Sequence, residues 1–327
     1  VAEGLTGTRR RGIAIMIVVA VVALLAAACG QGAGAAPAED RPQVTIEHTF
    51  GASTFPANPQ RVVTFSAPWT DALVALDVPI TAEFITRNYS GDNGAFPWTP
   101  QHESEKVVGA DNTDIDYEKL AALQPELILA GYQTQEAYDR LSAIAPTIPV
   151  MDSTAVLDSW QDVTAAAGKI FGKQAEADAL IADVTTKIDK FKADFPAVQG
   201  KTFSYGQFTG DQFGLVAADT DPAARVLGEL GLTLDPKSKK EGKGSARVLV
   251  SLEKVEVLDA DLVIMWPLTG GEEVLEEAVG WSDLAAVRRG SYVIVDDTTA
   301  SALASPSIYS VPWALDHQLR PAAAELG

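Results

Sequence analysis

Ten side chains in this sequence stand at or just beyond the places where an apolar, strand-like run gives way to a loop. In the first half they are Trp69, Arg87, Tyr89, Trp98 and Tyr132; in the second they are Gln207, Phe208, Phe213, Trp266 and Tyr309. The C-terminal ends of parallel strands face a ligand crevice, so these residues are candidate ligand contacts. Indole and phenol rings join a large apolar area to one hydrogen-bond donor, which suits a large, flat or partly apolar ligand. The chemistry implied is binding. Hydrolase, metalloprotease and dinucleotide motifs (G-x-S-x-G, H-E-x-x-H, G-x-G-x-x-G) do not occur, and carboxylate pairs carry no information in so acidic a chain. The expectation is therefore a non-enzyme without a catalytic residue. No metal site is expected either. His48, His102 and His317 are scattered without ligand spacing and read as surface residues, and Asp111, Asp114 and Asp116 lack the glycine and closing glutamate of a calcium loop.

Those ten residues need strands and helices to hold them, and one unit is written twice. Residues 116–130 and 251–265 align without a gap at an offset of 135. Each copy opens on an N-cap residue (Asp116, Ser251) and carries a short amphipathic helix. It then turns and enters a continuous apolar run, 127–130 or 262–265, that fits a strand buried on both faces. Around these copies, strands are expected at 44–50, 61–66, 80–84 and 145–150, then at 201–206 and 292–295, with a loop over 207–213 and an unplaced segment over 85–105. Apolar residues at 177, 181, 184, 188, 191 and 195 predict a helix over 173–195, roughly 34 Å long, stiff enough to bridge two lobes. The fold class is α/β: two Rossmann-like lobes with parallel sheets joined by a single long helix. The boundaries are an N-terminal lobe over 44–156, an interlobe helix segment over 157–197 and a C-terminal lobe over 198–327.

With 47% hydrophobic and 21% charged residues in 327, the chain is globular and long enough for two lobes. Its formal net charge of −19 argues against nucleic acid, since phosphate binding needs clustered Lys and Arg. The first 28 residues differ in kind. Arg9, Arg10 and Arg11 precede a 16-residue apolar run, 13–28, too short for an ordinary membrane span and suited to a signal peptide core. Small residues lead to Cys29, the only cysteine, in a pattern that resembles a bacterial lipobox, with Ala26 where leucine is usual. Residues 1–28 are thus read as a signal peptide. Cys29 is the lipidation candidate, and 29–43 is its Gly-, Ala- and Pro-rich tether.

These pieces together resemble a family: the substrate-binding lipoproteins of bacterial ABC importers for ferric siderophores, haem and cobalamin. The likeness rests on Pro59-Gln60-Arg61, the run from Glu118 through Gln124-Pro125-Glu126, Ile144-Ala145-Pro146-Thr147, Val250-Ser251-Leu252-Glu253, and 284–293. It implies a protein exported to the outer face of the cytoplasmic membrane, held there only by its lipid, working as a monomer without a cofactor. It also implies an ABC permease dimer as partner, with Glu118 and Glu253 docking on it. The solute would be an iron chelate. A trianionic catecholate would want several arginines and the cleft candidates offer only Arg87, so a ferric hydroxamate or mixed-type siderophore is favoured. Haem or cobalamin remains the alternative, and a surface-tethered enzyme a weaker one.

Overall fold

Each duplicated apolar run becomes a central strand of its own sheet. The computed structural model describes residues 41–86, 96–109 and 114–326, so the signal peptide, Cys29, Arg87, Tyr89 and Asp111 lie outside the described residues. From Pro42 onward the chain forms one compact unit.

The first lobe opens with an antiparallel hairpin, β1 (Gln43–His48) and β2 (Gly51–Pro56). In β2, Ser53 and Phe55 point inward and Thr54 outward, the alternation of a half-buried strand. Five parallel strands follow, β3 (Val62–Thr64), β4 (Ala82–Thr86), β5 (Glu105–Gly109), β6 (Leu127–Gly131) and β7 (Thr147–Pro149), in the spatial order β5-β4-β3-β6-β7. Three helices connect them: α1 (Ala67–Ala75), α2 (Tyr117–Ala122) and α3 (Gln135–Ser142). Val62, Leu127 and Leu129 enter one apolar cluster, with α1, while Val63, Ile128 and Ala130 enter another on the opposite face, with Leu120 and Leu141. Burying a Leu or Ile this completely contributes about 1.5–3 kcal/mol relative to exposure. Edge strand β5 escaped sequence reading because its side chains are half-buried to exposed and show no strict alternation.

The second sheet is mixed. It holds β8 (Thr202–Phe208), β9 (Gln212–Val216), β10 (Thr233–Leu234), β11 (Arg247–Ser251), β12 (Leu262–Pro267) and β13 (Tyr292–Ile294). Strands β8, β12 and β13 are parallel, whereas β9 is antiparallel to both β8 and β11. Only Thr209, Gly210 and Asp211 separate β8 from β9, and a parallel crossover needs a dozen or more residues. The expected loop over 207–213 is therefore a tight hairpin, turned by Gly210 at φ +99.

Strand β12 lies between parallel neighbours β8 and β13 just as β6 lies between β3 and β7, so the two copies of the duplicated unit occupy equivalent places. Their helices differ. Asp116 caps α2 by accepting from the Lys119 N–H at 2.8 Å. The second copy is a 3-10 helix, Leu252–Leu258, with non-helical backbone at Lys254 and no cap bond from Ser251. β-Branched Val255 and Val257 fit an α-helix less well than Lys119, Leu120 and Ala121 do.

Two helices run between the sheets, α4 (Trp160–Phe171) and α5 (Gln174–Asp194), the latter roughly 32 Å long. Ala177 of α5 belongs to the first lobe's core, Val184, Ile188 and Phe191 to the second lobe's, and Leu180 packs against both. Among the described residues, no helix is long and apolar enough to cross a membrane.

Candidate functional site

The parallel strands of the first lobe end at a cavity of about 310 Å³. Phe65 and Ser66 follow β3, Ile85 and Thr86 close β4, Gly109 closes β5, and Tyr132 and Gln133 follow β6, and all of them line it. Leu157, ahead of α4, and Ala304 and Ser305 of the second lobe also line it. Gly131, at φ +62, lets β6 end here: a Cβ on it would lie 2.9 Å from Cβ of Ser66. Phe65 and Phe84 stack at 4.5 Å on one wall, so the surface offered to a ligand is largely apolar and aromatic.

Of the described sequence candidates, only Tyr132 lines this cavity, and it is 65% exposed. Trp69 is 1% exposed in the first lobe's core, on the buried face of α1, which corrects its placement in the cleft. Phe208 and Phe213 are corrected likewise. They face each other across the β8–β9 hairpin, 4.8 Å between ring centroids, inside the second lobe's core. Gln207 is half-buried on β8 against Gly214, and Trp266 is half-buried and donates to Asp297 Oδ1 at 2.7 Å. Tyr309 is half-buried at the junction of the lobes. Trp98 sits just behind the wall, stacked on cavity-lining Phe96 at 4.4 Å and tilted against Trp313 of the second lobe at 5.4 Å.

Two buried carboxylates, which sequence reasoning missed, also line the cavity. Asp71 of α1 accepts hydrogen bonds from Trp98 Nε1 (3.1 Å), Thr99 Oγ1 (2.6 Å) and the Ser307 hydroxyl of the second lobe. Burial pushes its pKa up to about 6, and those three bonds offset only part of the rise. Glu83 of β4 has the opposite balance. Burial works to raise it too, but bonds from Lys106, from Ser104 Oγ (2.5 Å) and from His102 Nε2 (2.6 Å) outweigh that and hold it below the usual glutamate value. His102, expected at the surface, is thereby a cavity wall residue. Among the described residues no lysine or arginine lines the cavity, and no cluster of three metal-ligating side chains occurs.

A family model described as periplasmic binding protein matches residues 90–299. The chain belongs to that family. It is 26% identical over 318 residues to the probable siderophore-binding lipoprotein YfiY of Bacillus subtilis, covering 90% of this chain and 94% of that one. It is also 26% identical over 306 residues to the iron(3+)-hydroxamate-binding protein FhuD of B. subtilis, covering 88% and 90%. Among solved structures, PiaA of Streptococcus pneumoniae in complex with ferrichrome superposes with a TM-score of 0.74 at 23% identity, over 86% of this chain and 98% of that one. A periplasmic solute binding protein from Mycobacterium smegmatis gives 0.72 at 27% identity, over 87% and 99%.

In this periplasmic binding protein Glu118 stands exposed in the first turn of α2, and Glu253 exposed in the first turn of the 3-10 helix. The fold thus presents them at corresponding points of its two lobes. Neither takes part in an ion pair among the described residues.

Proposed function

We propose that this chain captures a ferric siderophore of hydroxamate or mixed type and delivers it to an ABC permease dimer, acting as a lipid-anchored monomer outside the cytoplasmic membrane. The observation that carries the reading is the cavity at the ends of β3, β4, β5 and β6, aromatic-walled and lined by Asp71 and Glu83. Three acidic liners, Asp71, Glu83 and Asp114, and no described lysine or arginine favour a neutral or weakly charged chelate over a trianionic catecholate. The iron-chelate names of YfiY and FhuD, matched over nearly their whole lengths, support the same class. Tyr132 is the ligand contact this reading rests on, with Phe65, Phe84 and Phe96 as the apolar wall. Arg87 and Tyr89 belong to the proposed contact set from their place in the sequence just after β4. Cys29 is the proposed anchor. The protein itself would change no bond of its solute, and needs no cofactor for capture.

Trp98, stacked on cavity-lining Phe96, makes the test optical. Titrating the protein with ferric hydroxamates, catecholates, citrate, haem and cobalamin should give saturable quenching of tryptophan emission by a hydroxamate at micromolar concentration or below. Trp98→Phe should remove most of the signal without removing binding. Tight binding of haem, with spectral shifts lost in Tyr132→Phe, would replace this reading with haem capture. Silence across the whole panel would remove iron-chelate binding.

A further inference from the structure

Asp71 sits where cavity and lobe junction meet. It lines the cavity and, being almost wholly buried, reaches across to Ser307, 236 residues away in the sequence and in the other lobe. Around it, Trp98 carries first-lobe aromatic surface into the second lobe's core, and Ala304 and Ser305 close the cavity from the second lobe. Rotating one lobe away from the other would separate Asp71 from Ser307 and open the carboxyl to water.

The polarity of the three bonds is fixed at two of them. The Trp98 indole N–H can only donate. Ser307 Oγ already accepts from the backbone N–H of Tyr309 (3.2 Å) and of Ser310 (2.9 Å), which fills its lone pairs and leaves its proton to donate to Asp71. Both of these bonds end on Oδ2. Among the described residues, the only partner on Oδ1 is the Thr99 hydroxyl, which can turn round and accept. A proton placed on Oδ1 therefore costs none of the three bonds and removes a buried charge.

We propose that Asp71 is the positioning residue that couples the two lobes at the cavity floor, a proton-binding latch that holds them together when protonated and strains them apart when ionised. The direction follows from linkage. A carboxyl that is buried in the closed arrangement and hydrated in an open one binds its proton more tightly when closed, so acid favours closure and alkali favours opening. With a closed-state value of about 6, the closed-to-open ratio should fall about tenfold between pH 5 and pH 7. The ionisable groups around Asp71 do not cancel this. His102 favours the ionised form through its charge, Tyr309 is raised by burial and then by Asp71 and Asp77, and Glu83 is held ionised by Lys106, Ser104 and His102.

The test needs no ligand, so its outcome is separate from that of the titration above. Nitroxide labels go on cysteines introduced at exposed Ser142 in the first lobe and exposed Lys240 in the second, in the full chain carrying Cys29→Ser, and interlobe distances are measured by pulsed electron resonance from pH 5 to pH 8. The wild type should give a single short distance at pH 5 and gain a longer one as pH rises through about 6. Asp71→Asn, neutral and of the same shape, should stay short throughout. Ser307→Ala should show the longer distance even at pH 5. These two variants move in opposite directions, which a merely structural role for the contact would not produce. A wild type without pH response, or an Asp71→Asn that keeps the wild-type response, would overturn the proposal. Were Asp71→Asn to fold poorly, the Trp98 contribution to emission, taken as the difference from Trp98→Phe, should still titrate near pH 6 in the wild type, and a flat profile would overturn it equally.

Discussion

Cells that make the double variant Glu118→Lys, Glu253→Lys should lose iron-chelate uptake by at least about tenfold, while the purified variant binds its chelate as tightly as the wild type. Two glutamates that dock call for a basic surface on the permease, and lysines in their place would set like charges together, which costs several kcal/mol at an interface. Each glutamate is exposed in a first helical turn, and the duplicated unit sets one on each lobe. A helix-dipole role alone predicts something different: a stability loss of about 0.3–1 kcal/mol per site and no transport defect. Single reversals should give intermediate uptake if both lobes dock. Uptake of labelled iron by whole cells and the dissociation constant of the isolated protein separate the cases. A matching loss of affinity, or undiminished uptake, counts against docking.

The two buried cavity carboxylates should answer neutralisation with opposite changes in stability at pH 7. Asp71 has a folded-state value of about 6 against 3.8 for the free side chain, so the folded chain holds its proton more tightly than the unfolded one. Its favourable contribution is complete below 3.8 and is lost as pH rises through about 6, which makes the ionised group a burden of about 3 kcal/mol at neutrality. Asp71→Asn should recover much of that, and the difference from wild type should vanish near pH 4. Glu83 is shifted downward, so its contribution is present above its ordinary value of 4.5 and is lost as pH falls through the lower folded value. Glu83→Gln leaves Lys106 and His102 facing a neutral amide in a largely buried setting, and should cost on the order of 3 kcal/mol at pH 7. Urea unfolding at pH 4, 5.5 and 7 reads both. Two variants shifting the same way at pH 7 would mean that the bonding around Asp71 outweighs its desolvation.

The sheets were legible because apolar continuity has one physical reading in a strand. Leu127 to Ala130 and Leu262 to Met265 are apolar at every position, so both faces must be covered, and both runs became central parallel strands. The cleft was less legible because an aromatic ring is as content in a core as in a binding wall. Trp69, Phe208 and Phe213 went inward, and Tyr132 stayed out. The informative signal lay in the acids: Asp71, beside Thr70, stands among the apolar residues of α1, and Glu83 stands between Ala82 and Phe84 in a strand. In a chain with 44 acidic residues such positions are easily overlooked, yet a carboxylate inside an apolar run must be either exposed or held by donors. The donors for Asp71 come from residues 98, 99 and 307, a convergence that only the folded chain reveals.

Helix α5 lends its first turns to one core and its last turns to the other. Neither half can keep its apolar face covered if the lobe beneath it unravels, and an isolated helix as short as either half is marginal in water. The lobes are therefore not independent modules joined by a spacer. They share a structural member, and loss of order in one is communicated to the other as loss of helix, which makes the whole a single cooperative body despite its two sheets.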